Sequence, residues 1–580
     1  MKNKNNSPAI FTETRVLQGT SGVIFTVAAI ILLFMLGHSS LIGAEAETAD
    51  ALRELMAGKD VFAPETSNGI NDISSLWNCR IRSIPAMIFG INELTCRLPS
   101  VFAALLMLCG TMLLSKEFFN RRTMYTIGWM TAGCCGFVYW GRFAGNYMTL
   151  AVWAVWSAVT LRYFRNNLWW WFLFFAMIFI GAAWWGMNYL LLLPGIIFIT
   201  MPHWRWKLNF RWQIPAAAGL ALLTVTIILF TAVNFTELTF WQCLTRLWHL
   251  VSGTFMESVQ ISIWPTGSKA WHGENFWNLY RLLFPWGLPA IFALYSAFSK
   301  IGKLPESHRC LLYGTMLILL LTAVFPARQW QYQLPAVPFL LIITGAVITG
   351  GLGEIRYLPY LTRVMIWIIS IFCSFAVALL ATWPLWKIVL LTPPPLSLML
   401  LVPVLGLAGL AFIVFDTGYK SAVERISGMR GPWSGYILGG LCITAATLAV
   451  GHPSLTIYRS GKPFWVKCGE ATRHLPSREV IFAGEPLPAT ARYYMALPER
   501  CTVTPDIAGL PEALKTVSIG EARLIIRKKF LAEAGEVLKN TGWQIITGEY
   551  IVEEGGLISF SREKLPGEEK FVLCRVIRKK

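Results

Sequence analysis

The chain has 580 residues, of which 55% are hydrophobic and only 14% charged. A soluble domain carries about 25% charged residues, so an ordinary soluble globular protein is excluded. The net charge of +18 reads as Lys and Arg that fix topology and touch anionic headgroups, not as a nucleic-acid surface.

Apolar runs recur along most of the chain, each near the roughly 20 residues a bilayer-spanning helix needs. The alternating segments of about ten residues that mark a membrane β-barrel are absent. About thirteen spans are predicted, at 22–42, 98–116, 123–140, 147–163, 168–185, 187–202, 213–233, 285–299, 310–326, 333–351, 361–383, 396–416 and 433–451. The first follows a basic N-terminus (Lys2, Lys4, Arg15) without a well-placed small-residue cleavage site. It reads as a retained signal-anchor.

With the N-terminus inside, the inside loops carry sixteen Lys and Arg, from Lys116 to Arg430, and the short outside loops carry only Arg142, Arg328 and Lys387. That is a strong positive-inside signal, and it puts the C-terminal region outside. Two outside loops are long, 43–97 and 234–284, and both mix helix formers with aromatics. They are expected to hold amphipathic helices lying on the outer surface.

The first of these loops opens GAEAETADALRELM, with Glu45, Glu47 and Asp50 in its first turns. On a helix Glu47 and Asp50 share a face, whereas Glu45 and Glu47 do not. Carboxylates held at a membrane surface are candidates for general-base chemistry. Acidic residues are also favoured in any first helical turn.

From about His452 charged residues become common and the apolar runs shorten. REVIFAG, RCTVTP, EARLIIRKK, GWQIITGEYIV and KFVLCRVIRKK read as strands, with helical stretches between them. The expected organisation is a transmembrane domain, 1–452, followed by a small α/β domain, 453–580. No nucleotide-binding glycine loop follows any of its strands. The twelve cysteines include no CxxC, so neither a zinc ribbon nor a redox pair is indicated. Cys468, Cys501 and Cys574 lie in the soluble part and allow at most one disulfide.

RLPSVFAALLMLCGTMLLSKEFFNRR, following a polar loop that ends FGINE, resembles the GT-C class of integral membrane glycosyltransferases. ELMAGKDVFAP, HGENFWNLYRLLFPWG and WQYQLPAVPFLLIITGAVI match in order and spacing. The branch resembled is the protein O-mannosyltransferase and lipid A aminoarabinose transferase superfamily. The resemblance implies a GT-C-like helical membrane fold and sugar transfer on the extracytoplasmic face; the signal-anchor start and compact loops point to a bacterial inner membrane. It implies a polyprenyl-phosphate-linked sugar as donor, a lipid, glycan or protein as acceptor, and no nucleic-acid partner.

Carried over residue by residue, the family's Asp-Glu pair falls on Ala44-Glu45, which leaves Glu45 as the aligned acid, with Glu47 close by. The family's Glu-Lys-Pro-Pro run falls on Ile73-Ser74-Ser75-Leu76, with Asp72 one residue before and Arg80 and Arg82 further on. The family's Arg, followed five residues later by Asp, falls on Arg142 and Tyr147. His272 matches a family His that is sometimes a metal ligand, with Glu274 two residues on. One His and one carboxylate are too few for a site that typically has three protein ligands, so no metal is assigned, and a divalent ion stays only as family precedent. Arg328 and Tyr332 precede LPAVP at an outer end and join Arg142 and Arg80 as phosphate-binding candidates; Glu45 and Asp72 are the catalytic candidates.

Two other function classes fit the composition. A non-catalytic relative that binds polyprenyl-phosphate lipids would share these substitutions. A transporter would carry charges in mid-span or matched broken helices in two halves; the spans carry almost no central charge and no internal repeat is found.

Overall fold

A backbone in hydrocarbon has to satisfy its own N–H and C=O groups, and an apolar run does so as a helix. The computed structural model describes residues 7–37, 40–41, 44–57, 73–163, 168–204, 213–233, 245, 274–324, 330–352, 433–445, 448, 462–476, 479–484, 487–495, 501–504, 506–517, 520–539, 541–552 and 571–578. The expected spans at 361–383 and 396–416 lie outside the described residues, as does most of the loop 234–284. The chain divides into two units. Residues 1–36, 55–381 and 395–451 form the first; residues 37–54, 382–394 and 452–580 form the second.

The first unit is helical. In order it contains α1 (Ser7–Leu33), α3 (Ile73–Phe89), α4 (Glu93–Phe118), α5 (Arg121–Ala132), α6 (Cys135–Gly141), α7 (Tyr147–Arg162) and α8 (Leu168–Trp185). There follow α9 (Met187–Leu190), α10 (Leu193–Trp204), α11 (Gln213–Val233), α12 (Glu274–Leu283), α13 (Gly287–Ser299), α14 (Glu306–Val324), α15 (Ala336–Ile348) and α16 (Trp433–Thr444). α2 (Ala44–Met56) begins in the second unit.

The surface of this unit is inside-out relative to a soluble protein. Ile84, Met87, Ile88 and Phe89 of α3 are exposed while Asn78 and Arg82 of the same helix are buried. Phe102 and Leu106 on α4 and Leu222, Leu223 and Ile227 on α11 are also exposed. Large exposed apolar faces need an apolar solvent, so the chain is an integral membrane protein. Among the described residues, α4 and α8 are each long and apolar enough to cross a membrane alone. The bent pair Trp277–Leu283 and Gly287–Ser299 would make a third crossing.

Several expected spans are shorter or interrupted, for identifiable reasons. The first ends at Leu33 rather than at 42: Met35 has φ 53°, a left-handed conformation that stops a helix. The run 123–140 breaks between α5 and α6. There the Cys135 amide donates to the Phe284 carbonyl at 2.8 Å, and the Cys134 thiol donates to the Leu282 carbonyl at 3.0 Å. Trp286 is fully buried and donates its indole N–H to the Met130 carbonyl at 2.7 Å, closing the same break. α10 and α14 pack backbone to backbone: a Cβ on Gly195 would sit 2.9 Å from the Gly314 carbonyl, and one on Gly314 would sit 2.7 Å from the Gly195 carbonyl.

In the second unit β1 (Val480–Ala483), β2 (Thr502–Thr504), β3 (Glu521–Arg527), β4 (Trp543–Val552) and β5 (Phe571–Arg578) form one sheet in the order β2-β1-β3-β5-β4. β1 runs parallel to β2 and β3, and β5 runs antiparallel to β3 and β4. Side chains alternate across a strand, and both faces are apolar. Ile481, Ala483, Leu524 and Ile526 pack on one face with α19 (Leu510–Lys515) and α20 (Leu531–Lys539). Val480, Phe482, Ile525 and Phe571 pack on the other with α17 (Lys462–Thr472) and α18 (Ala489–Met495). Cys468, Cys501 and Cys574 are all free thiols.

Candidate functional site

Three arginines are buried where α1 ends and α4 begins. Arg82 on α3 is 1% exposed, Arg97 on α4 2%, and Arg142 in the turn after α6 7%. Local sequence explains each entry. Asn92 caps α4 through the Thr95 amide, with the Thr95 hydroxyl returning to the Asn92 amide, a reciprocal cap that fixes the first turn carrying Arg97. Asn78 stands one turn before Arg82 and accepts its Nε–H at 2.7 Å. The turn at 142–146 lies between the short α6 and the longer α7 and brings Arg142 back toward α1.

Arg142 donates through Nη1 to the carbonyls of Ile31 (2.8 Å), Leu32 (3.1 Å) and Phe34 (2.7 Å). Arg97 donates to the Leu36 carbonyl at 3.0 Å. The last carbonyls of a helix have no intrahelical donor, so the Arg142 guanidinium caps α1 and complements its negative end, while Arg97 holds the turn that follows it. Arg82 reaches Ser100 Oγ at 3.3 Å and the Gly145 carbonyl at 3.2 Å, and Ser100 Oγ–H donates to that same carbonyl at 3.2 Å. Arg82 is thereby tied to the turn that holds Arg142.

Capping does not use all of Arg142. Its Nη2 is buried and has no hydrogen-bond partner among the described residues. Burial, and after it the nearby Arg97 charge, push the Arg142 guanidinium down to about 10, so it remains cationic at neutral pH. Among the described residues its partners are neutral carbonyls, with Arg97 as a second cation near it, and a buried cation so placed is electrostatically uncompensated by them. The arrangement can take an anion.

An aromatic group adjoins the same turn. Tyr147 packs edge-on against Trp140 (centroids 4.9 Å apart) and Tyr332 (5.9 Å), and lies 6.4 Å from Trp185. Phe143 and Tyr139 extend the cluster. Trp185 Nε1 and Gln333 Oε1 are likewise buried without a partner among the described residues. Buried polar groups are normally paired, so one neighbourhood leaves donors at Arg142 and Trp185 and an acceptor at Gln333.

Among the residues expected from the sequence, Tyr332 lies 5.9 Å from Tyr147, the first residue of α7 after the turn that Arg142 begins, while the Arg142 guanidinium itself reaches the α1 end. Arg80 is half-buried and lies about 200° round α3 from Arg82; Arg82, not Arg80, enters the cluster. Arg97 was not among the expected site residues, because its sequence neighbourhood marks only a helix start. Asp72, His272 and Arg328 lie outside the described residues. Among the described residues no group of three or more His, Cys, Asp or Glu could hold a metal ion.

Glu45 and Glu47 belong to α2. Glu45 is 3% exposed, Asp50 is also buried and Glu47 is exposed. The helix therefore separates Glu45 from Glu47, while Glu47 and Asp50, though one turn apart, differ in burial. Burial raises the Asp50 carboxyl above its usual range, against the lowering effect of Arg492 and Arg53.

No protein-family model matches the chain, and no curated protein sequence matches it. Solved structures do. ArnT from Cupriavidus metallidurans bound to undecaprenyl phosphate superposes at TM-score 0.65, with 14% identity, over 95% of this chain and 97% of that one. ArnT from the same organism in the apo state superposes at TM-score 0.61, with 14% identity, over 98% of each chain. Likeness of this extent, across both units and at so low an identity, identifies the architecture: this chain has the fold of the GT-C glycosyltransferase ArnT.

Proposed function

We propose that this chain is a membrane glycosyltransferase that moves a sugar from a polyprenyl-phosphate donor to a lipid, glycan or protein acceptor on the extracytoplasmic face. The observation that carries the reading is Arg142: buried, cationic, beside Arg97, and with Nη2 unused. A phosphate diester or monoester supplies the missing charge and the missing acceptor in one group. The exposed apolar faces of α3 and α4, the helices that carry Arg82 and Arg97, suit a polyprenyl tail. A bound undecaprenyl phosphate in the structurally similar ArnT is consistent with the same class of lipid here.

In this reading Arg142, with Arg82 and Arg97 holding its turn and the end of α1, binds the donor phosphate. Tyr332 and Tyr147 border the same position, and Arg328 and Arg80 are further cations for the headgroup. Glu45 acts as general base. Its carboxylate takes the proton of the acceptor hydroxyl as that oxygen attacks the anomeric carbon. The bond from that carbon to the phosphate oxygen breaks, and polyprenyl phosphate leaves with the electron pair, stabilised by the guanidiniums. Asp72 supports the acceptor side and His272 the second loop. Residues 453–580 are the extracytoplasmic domain, and the N-terminus is cytoplasmic.

The test is turnover in lipid nanodiscs with undecaprenyl-phosphate-linked pentose or hexose. Glu45→Gln is expected to lower transfer at least about 100-fold, the usual contribution of a positioned base, while leaving undecaprenyl phosphate binding within twofold. Transfer by Glu45→Gln at the wild-type rate would remove Glu45 from the mechanism. A second reading is favoured by one observation: Tyr147, at the position of the family's acid, is packed into an aromatic cluster. A relative that binds the lipid without turnover would bind undecaprenyl phosphate through Arg142 yet transfer no sugar.

A further inference from the structure

α2 buries only a short apolar stripe, Ala46, Ala49 and Leu52, and is also fixed at several points to a short helix more than 400 residues later in the chain. Arg53, in the last turn of α2, donates to the carbonyls of Arg492 (3.2 Å) and Tyr493 (2.9 Å). These are among the last carbonyls of α18, which lack intrahelical donors. The same guanidinium lies over the Tyr493 ring at 4.8 Å, a cation–π contact. Asp50, one turn earlier, pairs with Arg492 at 3.2 Å, with the carboxylate side chain 3% exposed. Before α2, the Leu41 amide donates to the Tyr494 hydroxyl at 2.7 Å. Lys462 of α17 sits over the other side of this arrangement, 5.3 Å from the Tyr494 ring. Three consecutive residues of α18 thus grip both ends of one segment.

We infer that Asp50, Arg53 and Arg492 are positioning residues: they clamp α2 to α18 and so set the place and burial of the Glu45 carboxyl. Asp50 and Arg53 lie five and eight residues after Glu45 on the same helix. A helix held at its C-terminal half cannot turn or slide without carrying its first turn along. Simple helix capping accounts for Arg53 alone. It does not account for the buried ion pair, the ring contact and the Leu41 bond meeting on one triplet. The catalytic meaning of the clamp rests on Glu45 as base; the clamp itself does not.

The test is carboxyl footprinting of the full chain in nanodiscs, with a water-soluble carbodiimide and glycine ethyl ester, read by peptide mass spectrometry. In the wild type, exposed Glu47 labels quickly and Glu45 slowly. Arg53→Ala and Asp50→Asn are expected to raise Glu45 labelling at least fivefold, toward the Glu47 rate. Glu521, on the sheet, should label as in the wild type and so reports that the fold persists. Should Arg53→Ala disturb Glu521 as well, Arg53→Lys keeps the charge but lacks the planar two-nitrogen fork that spans the two carbonyls and stacks on the Tyr493 ring, and the same rise is expected. Unchanged Glu45 labelling in Asp50→Asn and Arg53→Lys would overturn the clamp. In parallel, transfer is expected to fall in kcat with KM for the donor within twofold; a change in KM alone would overturn the positioning role. If no donor turns over even in the wild type, the glycosyltransferase reading fails while the footprint still decides the clamp.

Discussion

Replacing Arg142 by Lys separates the two uses of its guanidinium. Nη1 serves three carbonyls at the α1 end, and Nη2 has no partner among the described residues. Lysine keeps the charge but carries one nitrogen, and the carbonyls claim it. The bond available to a phosphate is then lost. A hydrogen bond to a charged group contributes about 1.5–3 kcal/mol, which at about 1.4 kcal/mol per decade is roughly a 10- to 150-fold loss of affinity. Arg142→Ala differs: three carbonyls lose their donor at roughly 1 kcal/mol or more each, so instability accompanies weak binding. The assay is native mass spectrometry of detergent-solubilised protein titrated with undecaprenyl phosphate, alongside thermal unfolding. Arg142→Lys should unfold within a few degrees of the wild type while binding at least tenfold more weakly. Wild-type affinity in Arg142→Lys would show that Nη2 does not meet the phosphate, and the anion-site argument would fall.

Two other perturbations follow from particular contacts. Tyr147→Asp restores the acid found in the family pattern but removes a ring packed on Trp140 and Tyr332; the expected result is a loss of about 3–5 kcal/mol of stability and no gain in transfer, read by thermal unfolding and turnover. Glu521 accepts from Arg575 at 2.8 Å and from Arg523 at 2.6 Å, and the Arg575 hydrogen bond, foremost, holds its carboxyl below the usual 4.5. A depressed folded-state value gives stability that is present above 4.5 and lost as pH falls through the folded value. Glu521→Gln should therefore lower amide protection of β3 and β5 at pH 7 and converge with the wild type in acid; equal differences at both pH values would refute the linkage.

The membrane class and the helical runs were legible because hydrocarbon imposes length and composition on each span separately. Where a span stops was less so: α1 ends at Leu33 before the left-handed Met35, and the donor to the carbonyls there is Arg142, more than 100 residues away. Arg142 itself stood out as a rare cation in a short outside loop. Arg97 did not, since its burial comes from the Leu36 carbonyl, a contact with no local signature. Arg82 was in view beside Arg80, and helical spacing is what separates the two: Arg82 lies one turn after Asn78, a polar pair that faces inward on a helix otherwise rich in exposed Ile, Met and Phe. The Asp50–Arg492 pair joins the two ends of the chain and was beyond any local pattern.

The glycine contact between α10 and α14 bears on how the protein meets membranes of different thickness. Lipid tails are as apolar as Leu, so helices in a bilayer are held by fit and not by exclusion of water. Gly195 and Gly314 bring the two backbones too close for an acyl chain to enter between them. α14 also touches the Trp330–Gln333 turn that carries Tyr332. The depth of Tyr332 is therefore referenced to a neighbouring helix, not to the lipid. In a thinner or thicker bilayer the α10–α14 pair is expected to tilt as one plank, with the spacing between its members kept by this contact.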